Sequence, residues 1–369
     1  MRCPEQGKSR EMNADRTKAR IATTGLGKIE PQSKEGMSAP GRCSVLASVA
    51  AVIVNYNGGP FLQACMRSLS AQSHPLTKVF VVDNASIDNS LATIEHEPCC
   101  EIVRLNQNAG FAVASNRAVA LAEGCEWLLM LNPDATLEPD WLERMLEAAA
   151  KHSDCAMLAS RLLQHEHRNL LDGAGDVFHV SGAHWRRGHG QIDKGQFMAD
   201  EEVFSPCAAA ALYRRDVFLA VGGFDEAFFC YGEDVDLAFR LRLMGERCMY
   251  VPHAIARHVG SASSGRNSDF AVYHGHRNLV WLYLKNMPGL LLFLYLPQHL
   301  IWNLVSILWF VLRGQSATIL RAKRDALRSL PRVLRERRRV QSQRKVGCRA
   351  LLRVMGRGFL RPYFRSLTD

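Results

Sequence analysis

From Val49 onward this chain alternates short apolar runs with helical patterns, and that rhythm limits its possible folds more than any other feature. Residues 49–54, 79–82, 101–105 and 127–131 read as strands; residues 60–71, 87–94, 110–123 and 140–150 carry helical spacing, the first with Pro60 near its start. Strands alternating with helices at this spacing imply βαβ units, a parallel sheet and right-handed crossovers. Ligands on such sheets bind at the carboxyl ends of the strands. The residues directly after each strand are therefore the informative ones.

Those residues are polar after every strand. Asn55, Tyr56 and Asn57 follow the first; Asp83, Asn84, Ala85 and Ser86 the second; Asn106, Asn108, Ala109, Gly110 and Phe111 the third; Asn132, Pro133 and Asp134 the fourth. Any one of these clusters is ordinary turn chemistry. Together, on one edge, they offer an aromatic face (Tyr56), a carboxylate that can accept from a base N–H (Asp83) and a carboxylate for a metal (Asp134). That is a nucleotide-binding edge with a metal site. No Gly-x-Gly-x-x-Gly is present, which disfavours a dinucleotide fold, and Gly25-Leu26-Gly27-Lys28 has neither the spacing nor the preceding strand of a P-loop.

Charge and cysteine usage narrow the function classes. The net charge of +10 sits at the ends: residues 313–369 hold 17 Lys/Arg against 3 Asp/Glu, and residues 1–44 hold 9 against 5. The body is acidic, so no nucleic-acid partner is expected. The 11 cysteines include no Cys-x-x-Cys, which favours free thiols in a reducing compartment over a zinc ribbon or disulfide scaffold. His165/His167 and His274/His276 are weak metal cues only. Residues 1–47 are polar and read as a disordered extension.

Several segments resemble a known family. Val52-Ile53-Val54-Asn55-Tyr56-Asn57, Val82-Asp83-Asn84-Ala85-Ser86, Asn106-Gln107-Asn108-Ala109-Gly110-Phe111 and Leu131-Asn132-Pro133-Asp134-Ala135 are similar to the family 2 inverting glycosyltransferases of the GT-A fold. Gly222-Gly223-Phe224-Asp225-Glu226, Tyr231-Gly232-Glu233-Asp234-Val235-Asp236-Leu237, Arg257-His258 and Arg277-Asn278 extend the resemblance. It is nearest to the rhamnosyltransferase-type enzymes of bacterial cell-surface polysaccharide assembly and covers roughly residues 48–312. The resemblance implies an α/β GT-A fold (Rossmann-like, mostly parallel sheet) over residues 48–287. It implies a donor site built from Asn55, Tyr56, Asp83, Asn84, Asn108, Gly110, Phe111, Asn132 and Glu233, with Tyr56 and Asp83 on the base. Asp134 and His258 become ligands of Mg²⁺ or Mn²⁺, and Asp234 the general base. Arg277 either meets the diphosphate or makes a helix-surface salt bridge. Relatives often carry Asp-x-Asp where this chain has Asn132-Pro133-Asp134.

The implied chemistry is coherent without the family. Direct displacement at an anomeric carbon needs no covalent nucleophile, and neither Gly-x-Ser-x-Gly nor an activated cysteine is evident. It needs one carboxylate to take the acceptor's proton and a cation facing the leaving diphosphate. Asp236 reads as a helix-dipole acid. Residues 172–191, rich in Gly and His, read as a lid that orders over the donor. Residues 204–213 (FSPCAAAALY) suit either close approach to a sugar or tight packing.

Residues 288–312 are apolar enough to span a bilayer, yet His299, Asn303 and Ser306 form a polar stripe. That favours a helix lying in the interface or packed on the catalytic domain. Residues 313–369 read as a basic amphipathic tail, with Arg321, Arg324, Arg328, Arg332, Arg335 and Arg339 recurring every three or four positions and Pro331 kinking the helix. The expectation is a cytoplasmic enzyme, peripheral on the inner membrane, using a nucleotide-diphosphate sugar (dTDP-rhamnose as the best guess) and a polyprenyl-linked or polysaccharide acceptor. The alternatives are a nucleotidyltransferase, which would want a cation in the loop after the first strand, and a non-catalytic nucleotide-sugar-binding scaffold.

Overall fold

The computed structural model describes residues 47–95, 100–260, 265 and 268–364. The expected disordered extension therefore lies outside the described residues, save its last position. In chain order the first elements are β1 (Val49–Asn55), α1 (Phe61–Ser70), β2 (Lys78–Asp83), β3 (Cys100–Arg104), α2 (Phe111–Leu121), β4 (Trp127–Leu131), β5 (Ala135–Leu137) and α3 (Trp141–Lys151). Next come β6 (Cys155–Gln164), β7 (Leu171–Ala174), β8 (Asp176–Phe178), β9 (His184–Arg186), β10 (Glu201–Glu202), β11 (Ala210–Arg214), α4 (Arg215–Ala220), α5 (Glu233–Met244) and β12 (Arg247–His258). The last five are helices: α6 (Asp269–Asn286), α7 (Gly289–Leu312), α8 (Ser316–Arg328), α9 (Leu330–Ser342) and α10 (Cys348–Val354).

The four expected strands form, and they pair in parallel as β3-β2-β1-β4. The sheet continues through β11, which runs antiparallel to both β4 and β6, to β12 and β10. Along this path β1, β2, β3, β4, β6 and β12 point one way and only β11 and β10 oppose them. Every residue of β1 and β4 is buried, the pattern of a strand covered on both faces. Alternate residues feed two cores: Ala51, Ile53, Leu129 and Leu131 pack with α1 and α3, while Ala50, Val52, Leu128 and Met130 pack with α2 and α5.

One expected helix is missing. Residues 87–94 form only a single 3-10 turn, Leu91–Thr93. The reason is competition from side chains: Asp88 accepts from the backbone N–H of Gly59 at 2.8 Å and of Ser90 at 3.2 Å, and Ser86 Oγ accepts from Asn57 N at 3.0 Å. The loop is tied to its neighbour instead of winding on itself.

The segment expected as a lid contributes β7 to the main sheet and forms a separate two-stranded sheet, β8 with β9. β7 pairs antiparallel with β6, β8 with β9, and Phe178, Val180, Ala183 and Trp185 are buried. The FSPCAAAALY stretch follows the packing reading, with Ala208, Ala209, Ala210 and Ala211 all buried.

The carboxyl-terminal helices share a core with the catalytic half. Phe178, Phe228, Val235 and Phe239 pack with Trp281 and Tyr283 of α6, Val333 of α9 and Leu351 of α10. Asp236 is not a surface dipole acid: it is buried and accepts from Arg240 at 2.9 Å, Asn286 at 2.7 Å and Lys285 at 2.7 Å. The chain breaks at Ser329, leaving Pro331 in the first turn of α9, where it is tolerated. Among the described residues α7 alone is long and apolar enough to cross a membrane. Its polar stripe points inward: His299 Nδ1 donates to Ser181 O at 2.8 Å, and Lys323 donates to Asn303 Oδ1 at 2.6 Å. Leu290, Phe293, Leu294, Leu304, Leu308 and Leu312 point outward and are exposed.

Candidate active site

The polar strand ends divide into braces and walls. Asn55 is fully buried, and its amide donates to Asp83 at 3.3 Å, Ser86 Oγ at 3.0 Å and Ser90 Oγ at 2.9 Å. Asp83 also accepts from Ser86 N. These two side chains tie the ends of β1 and β2 together; neither lines the open cleft. Tyr56, Asn84, Asn108, Gly110, Phe111, Asn132 and Asp134 do line it, a cleft of about 430 Å³. Asn84 donates to Asn108 Oδ1 at 2.9 Å and accepts from Ala109 N at 2.8 Å, joining the loops after β2 and β3. Gly110 sits at φ +87°, and a Cβ there would lie 2.6 Å from the Phe229 ring, so only glycine fits.

Asp134 and His258, 124 positions apart, meet across this cleft. The chain turns from β4 into β5, which pairs with the end of β12, and this register sets His258 opposite Ala135. His258 Nε2 lies 3.3 Å from Asp134 Oδ1, and its Nδ1 donates to Asp172 Oδ2 at 2.8 Å. The Asn132 amide is 3.4 Å from Nε2, and Gly260 N–H donates to Asp134 Oδ2 at 3.2 Å. Burial pushes the Asp134 carboxyl up, but hydrogen bonding and charge from His258 outweigh it and hold it below the usual range. Burial likewise opposes the charged form of His258, and its two carboxylate partners raise it regardless.

This donor set was tested for a metal by its own chemistry. With Nδ1–H committed to Asp172, neutral His258 turns a lone pair toward a carboxylate 3.3 Å away. Two acceptors at that distance need a proton or a cation between them. An imidazole oriented by a carboxylate on its far side is the usual arrangement of a metal-ligating histidine. The residues therefore fit a divalent ion held by Asp134 and His258, although among the described residues no cluster of three or more His, Cys, Asp or Glu side chains forms a fuller cage.

Asp234 stands at the first turn of α5. Its Oδ2 accepts from Ala208 N at 3.2 Å, and its neighbour Glu233 is buried with one carboxyl oxygen unpartnered. Burial, then the charge of Asp234, pushes both Glu233 and buried Asp176 well above the ordinary carboxyl range. Neither Asp234 nor Glu233 lines the cleft, whereas Cys230 and Tyr231, just before them, do. Arg186 connects the two halves. It pairs with Asp172, lies 3.3 Å from His258 Nδ1, lines the cleft and feels the charge of Asp176 and Asp234.

The turn that delivers Asp234 is strained and clamped. Phe229, Tyr231 and Gly232 all have positive φ, at 67°, 70° and 81°. Asn278, buried on α6, donates to the carbonyls of Phe228 at 3.0 Å, Cys230 at 2.9 Å and Tyr231 at 2.8 Å. Arg277 donates to Ala227 O and Phe228 O and stacks 4.2 Å from the Trp281 ring centroid. It meets neither a diphosphate site nor a surface acid; it braces this loop. His274 joins Phe229 and Phe270 in an aromatic cluster, and the His276 ring meets Phe310.

Sequence reasoning missed Asp172, Arg186, Phe270 and the clamping role of Asn278. The only cue to the first two was the Gly/His/Arg-rich segment, which was read as a lid. Their importance depends on β7 and β9 bringing them beside β12, and no local pattern encodes that.

Comparison with known proteins agrees with this geometry. The family described as Glycosyl transferase family 2 matches residues 50–222. An N-acetylglucosaminyl-diphospho-decaprenol L-rhamnosyltransferase of Mycobacterium tuberculosis is 30% identical over 247 residues, 60% of this chain and 80% of that protein. The O-antigen biosynthesis protein RfbC of Myxococcus xanthus is 30% identical over 224 residues, 58% of this chain and 17% of that one. Among solved structures, GalNAc-T7 with UDP, GalNAc and Mn²⁺ superposes with a TM-score of 0.53 at 14% identity, over 66% of this chain and 48% of that one, a likeness of fold. With its GT-A sheet and its cleft at the strand ends, the chain belongs to glycosyl transferase family 2 and is a glycosyltransferase.

Proposed function

We propose that the protein transfers a sugar, with inversion, from a nucleotide diphosphate to a polyprenyl-diphosphate-linked acceptor, with rhamnose from dTDP-rhamnose as the donor of choice. The carrying observation is the pairing of Asp134 and His258 in a cleft that Arg186 also lines. Tyr56 offers the base a ring face, and Asn84, Asn108 and Gly110 shape the wall beside it. Asp134 and His258 would hold Mg²⁺ or Mn²⁺, which supplies positive charge to the leaving diphosphate. Asp234 takes the proton of the acceptor hydroxyl as its oxygen bonds to the anomeric carbon. The bond from that carbon to the phosphate oxygen breaks, and the nucleoside diphosphate leaves with the electron pair. The donor and acceptor classes rest on the mycobacterial relative, whose name specifies a rhamnosyl transfer to a decaprenyl-linked sugar.

Localisation follows from surface chemistry. α7 exposes an apolar face, and Arg313 at its end and Arg321, Arg324 and Arg328 of α8 are exposed. Each basic residue near an anionic surface contributes about 1 kcal/mol, screened by salt. The eight described cysteines outside the masked segments are free thiols, which suits the cytoplasmic side of the membrane.

The deciding experiment is a product assay with purified protein, GlcNAc-diphospho-polyprenol and dTDP-, UDP- or GDP-sugars. Glycosylated lipid formed from dTDP-rhamnose supports the reading. Sugar-nucleotide synthesis from a sugar phosphate and a nucleoside triphosphate would replace it with the nucleotidyltransferase. Donor binding with no turnover on any acceptor would favour the scaffold.

A further inference from the structure

Two cavities beside the cleft do not belong to the donor site. One, of about 220 Å³, lies against Ala271, Gly275 and Leu279 of α6; the other, of about 500 Å³, lies against Val305 and Trp309 of α7 and is roofed by Tyr363. They adjoin along three shared walls, His276, Trp302 and Phe310, and together make a groove of two parts. The helix faces explain it. Residues 271, 275 and 279 follow the i, i+4, i+8 stripe of α6, and 302, 305 and 309 the i, i+3, i+7 stripe of α7. The space over Gly275 is open, since a Cβ there would meet nothing within 4 Å, and only a large side chain would fill it.

The groove has two informative ends. Its outer end, at Val305 and Trp309, is continuous with the exposed apolar face of α7. Its inner end is His184 of β9. A Cβ on Gly232, directly before Glu233 and Asp234, would lie 3.5 Å from His184 Nε2. His184 and Arg186 are two apart on one strand, so they point the same way, about 7 Å apart; Arg186 lines the donor cleft. The groove thus runs from an apolar surface to the helix turn that carries the base.

We infer that this groove holds the isoprenoid chain of the acceptor, threading it from the bilayer to the site so that its diphosphate-linked sugar meets Asp234. The inference rests on the proposed acceptor class and adds where its tail is bound. A largely apolar lining that is exposed at Val305 and Trp309 and ends at His184, beside the turn before Asp234, suits a flexible hydrocarbon whose far part stays in lipid and whose near end is tethered to a polar headgroup.

Two measurements test it. First, acceptors with tails of one isoprene unit and of three or four are compared. The longer tail should raise kcat/KM by about tenfold or more, as burial of several methylenes requires, and Gly275→Phe should bring that ratio down to about one while Gly275→Ala keeps it. Protection of each variant by dTDP with Mn²⁺ in thermal melts reports that it is folded. A wild-type enzyme indifferent to tail length, or a folded Gly275→Phe that keeps the ratio, overturns the proposal. Second, an isoprenyl diphosphate with a terminal benzophenone is photo-crosslinked to the wild-type protein. Adducts on α6 or α7 that compete with unlabelled isoprenyl diphosphate support the groove. Adducts elsewhere, or equal displacement by phosphatidylglycerol, overturn it. Crosslinking in the groove together with no transfer to any acceptor would instead overturn the function proposed above.

Discussion

The cleft has two unlike walls. The wall from β1 to β4 is assembled from loops that follow consecutive parallel strands, and its side chains bond to near neighbours on the same edge, as Asn84 does to Asn108 and Ala109. The wall from β6 to α6 is assembled from distant pieces. Arg186 and His258 line the cleft, Asp172, Asp234 and Asn278 do not, and the five sit on five different elements joined by buried ion pairs and a strained turn. The first wall is a surface for recognising a ligand. The second is a stressed, charged assembly whose parts depend on one another. Substitutions in the first should weaken donor binding, and those in the second should cost turnover or stability.

The largest expected effect is at Asp234. Asp234→Ala should lower kcat by about 10²–10⁴-fold, the usual contribution of a positioned base, with nucleotide binding retained in a titration. Near-normal turnover would remove Asp234 from the chemistry and with it the division between the walls. Next is Asp172→Asn, which unhooks His258 from its orienting carboxylate. Activity or Mn²⁺ affinity should drop by roughly 10–100-fold, read from metal-dependent rates, while the KM for donor rises less. Chelation with EDTA should mimic this loss, and added Mn²⁺ should restore the wild-type rate.

Asn278→Ala sharpens the contrast through stability. Three carbonyls of the 228–231 turn lose the Asn278 amide, although Phe228 O keeps Arg277. Unsatisfied buried polar groups cost about 1–3 kcal/mol, so urea midpoints should fall and kcat should fall with them as the turn relaxes. Tyr56→Ala is the mildest. Its ring is 38% exposed at the cleft mouth, and loss of stacking worth about 0.5–1.5 kcal/mol should raise the donor KM several-fold with kcat nearly constant. If Tyr56→Ala damages turnover more than Asp172→Asn, the walls have been assigned the wrong way round.

Legibility in the sequence follows the same divide. The strands 49–54, 79–82, 101–105 and 127–131 reappear as β1 to β4 within a residue or two; β1, β2 and β4 are legible because a strand buried on both faces must be a continuous apolar run, while β3 is partly exposed. The helix expected at 87–94 failed because Ser86 and Asp88 spend their side chains on the backbone of the 55–59 loop, contacts that span about thirty residues. Asn55 and Asp83 stood in the right loops, yet they bond to each other and to serines behind the cleft wall. Arg277 was read as facing ligand or solvent, and it faces the carbonyls of a strained turn. The Gly/His/Arg segment looked mobile because glycine and histidine carry no strong strand pattern, and only pairing with β6 reveals β7.

Taken alone, the sequence determined the parallel sheet, the polar edge at its strand ends and the apolar helix near the carboxyl terminus. Those features are written in period and composition, which act over a few residues. Which acids meet was decided by tertiary structure, because Asp134, Asp172 and His258 become neighbours only through the pairing of β12 with β5 and β6 and of β6 with β7. The same holds for the groove between α6 and α7: each helix face is apolar by itself, and an open space between them exists only once Gly275 and Trp302 are placed opposite one another.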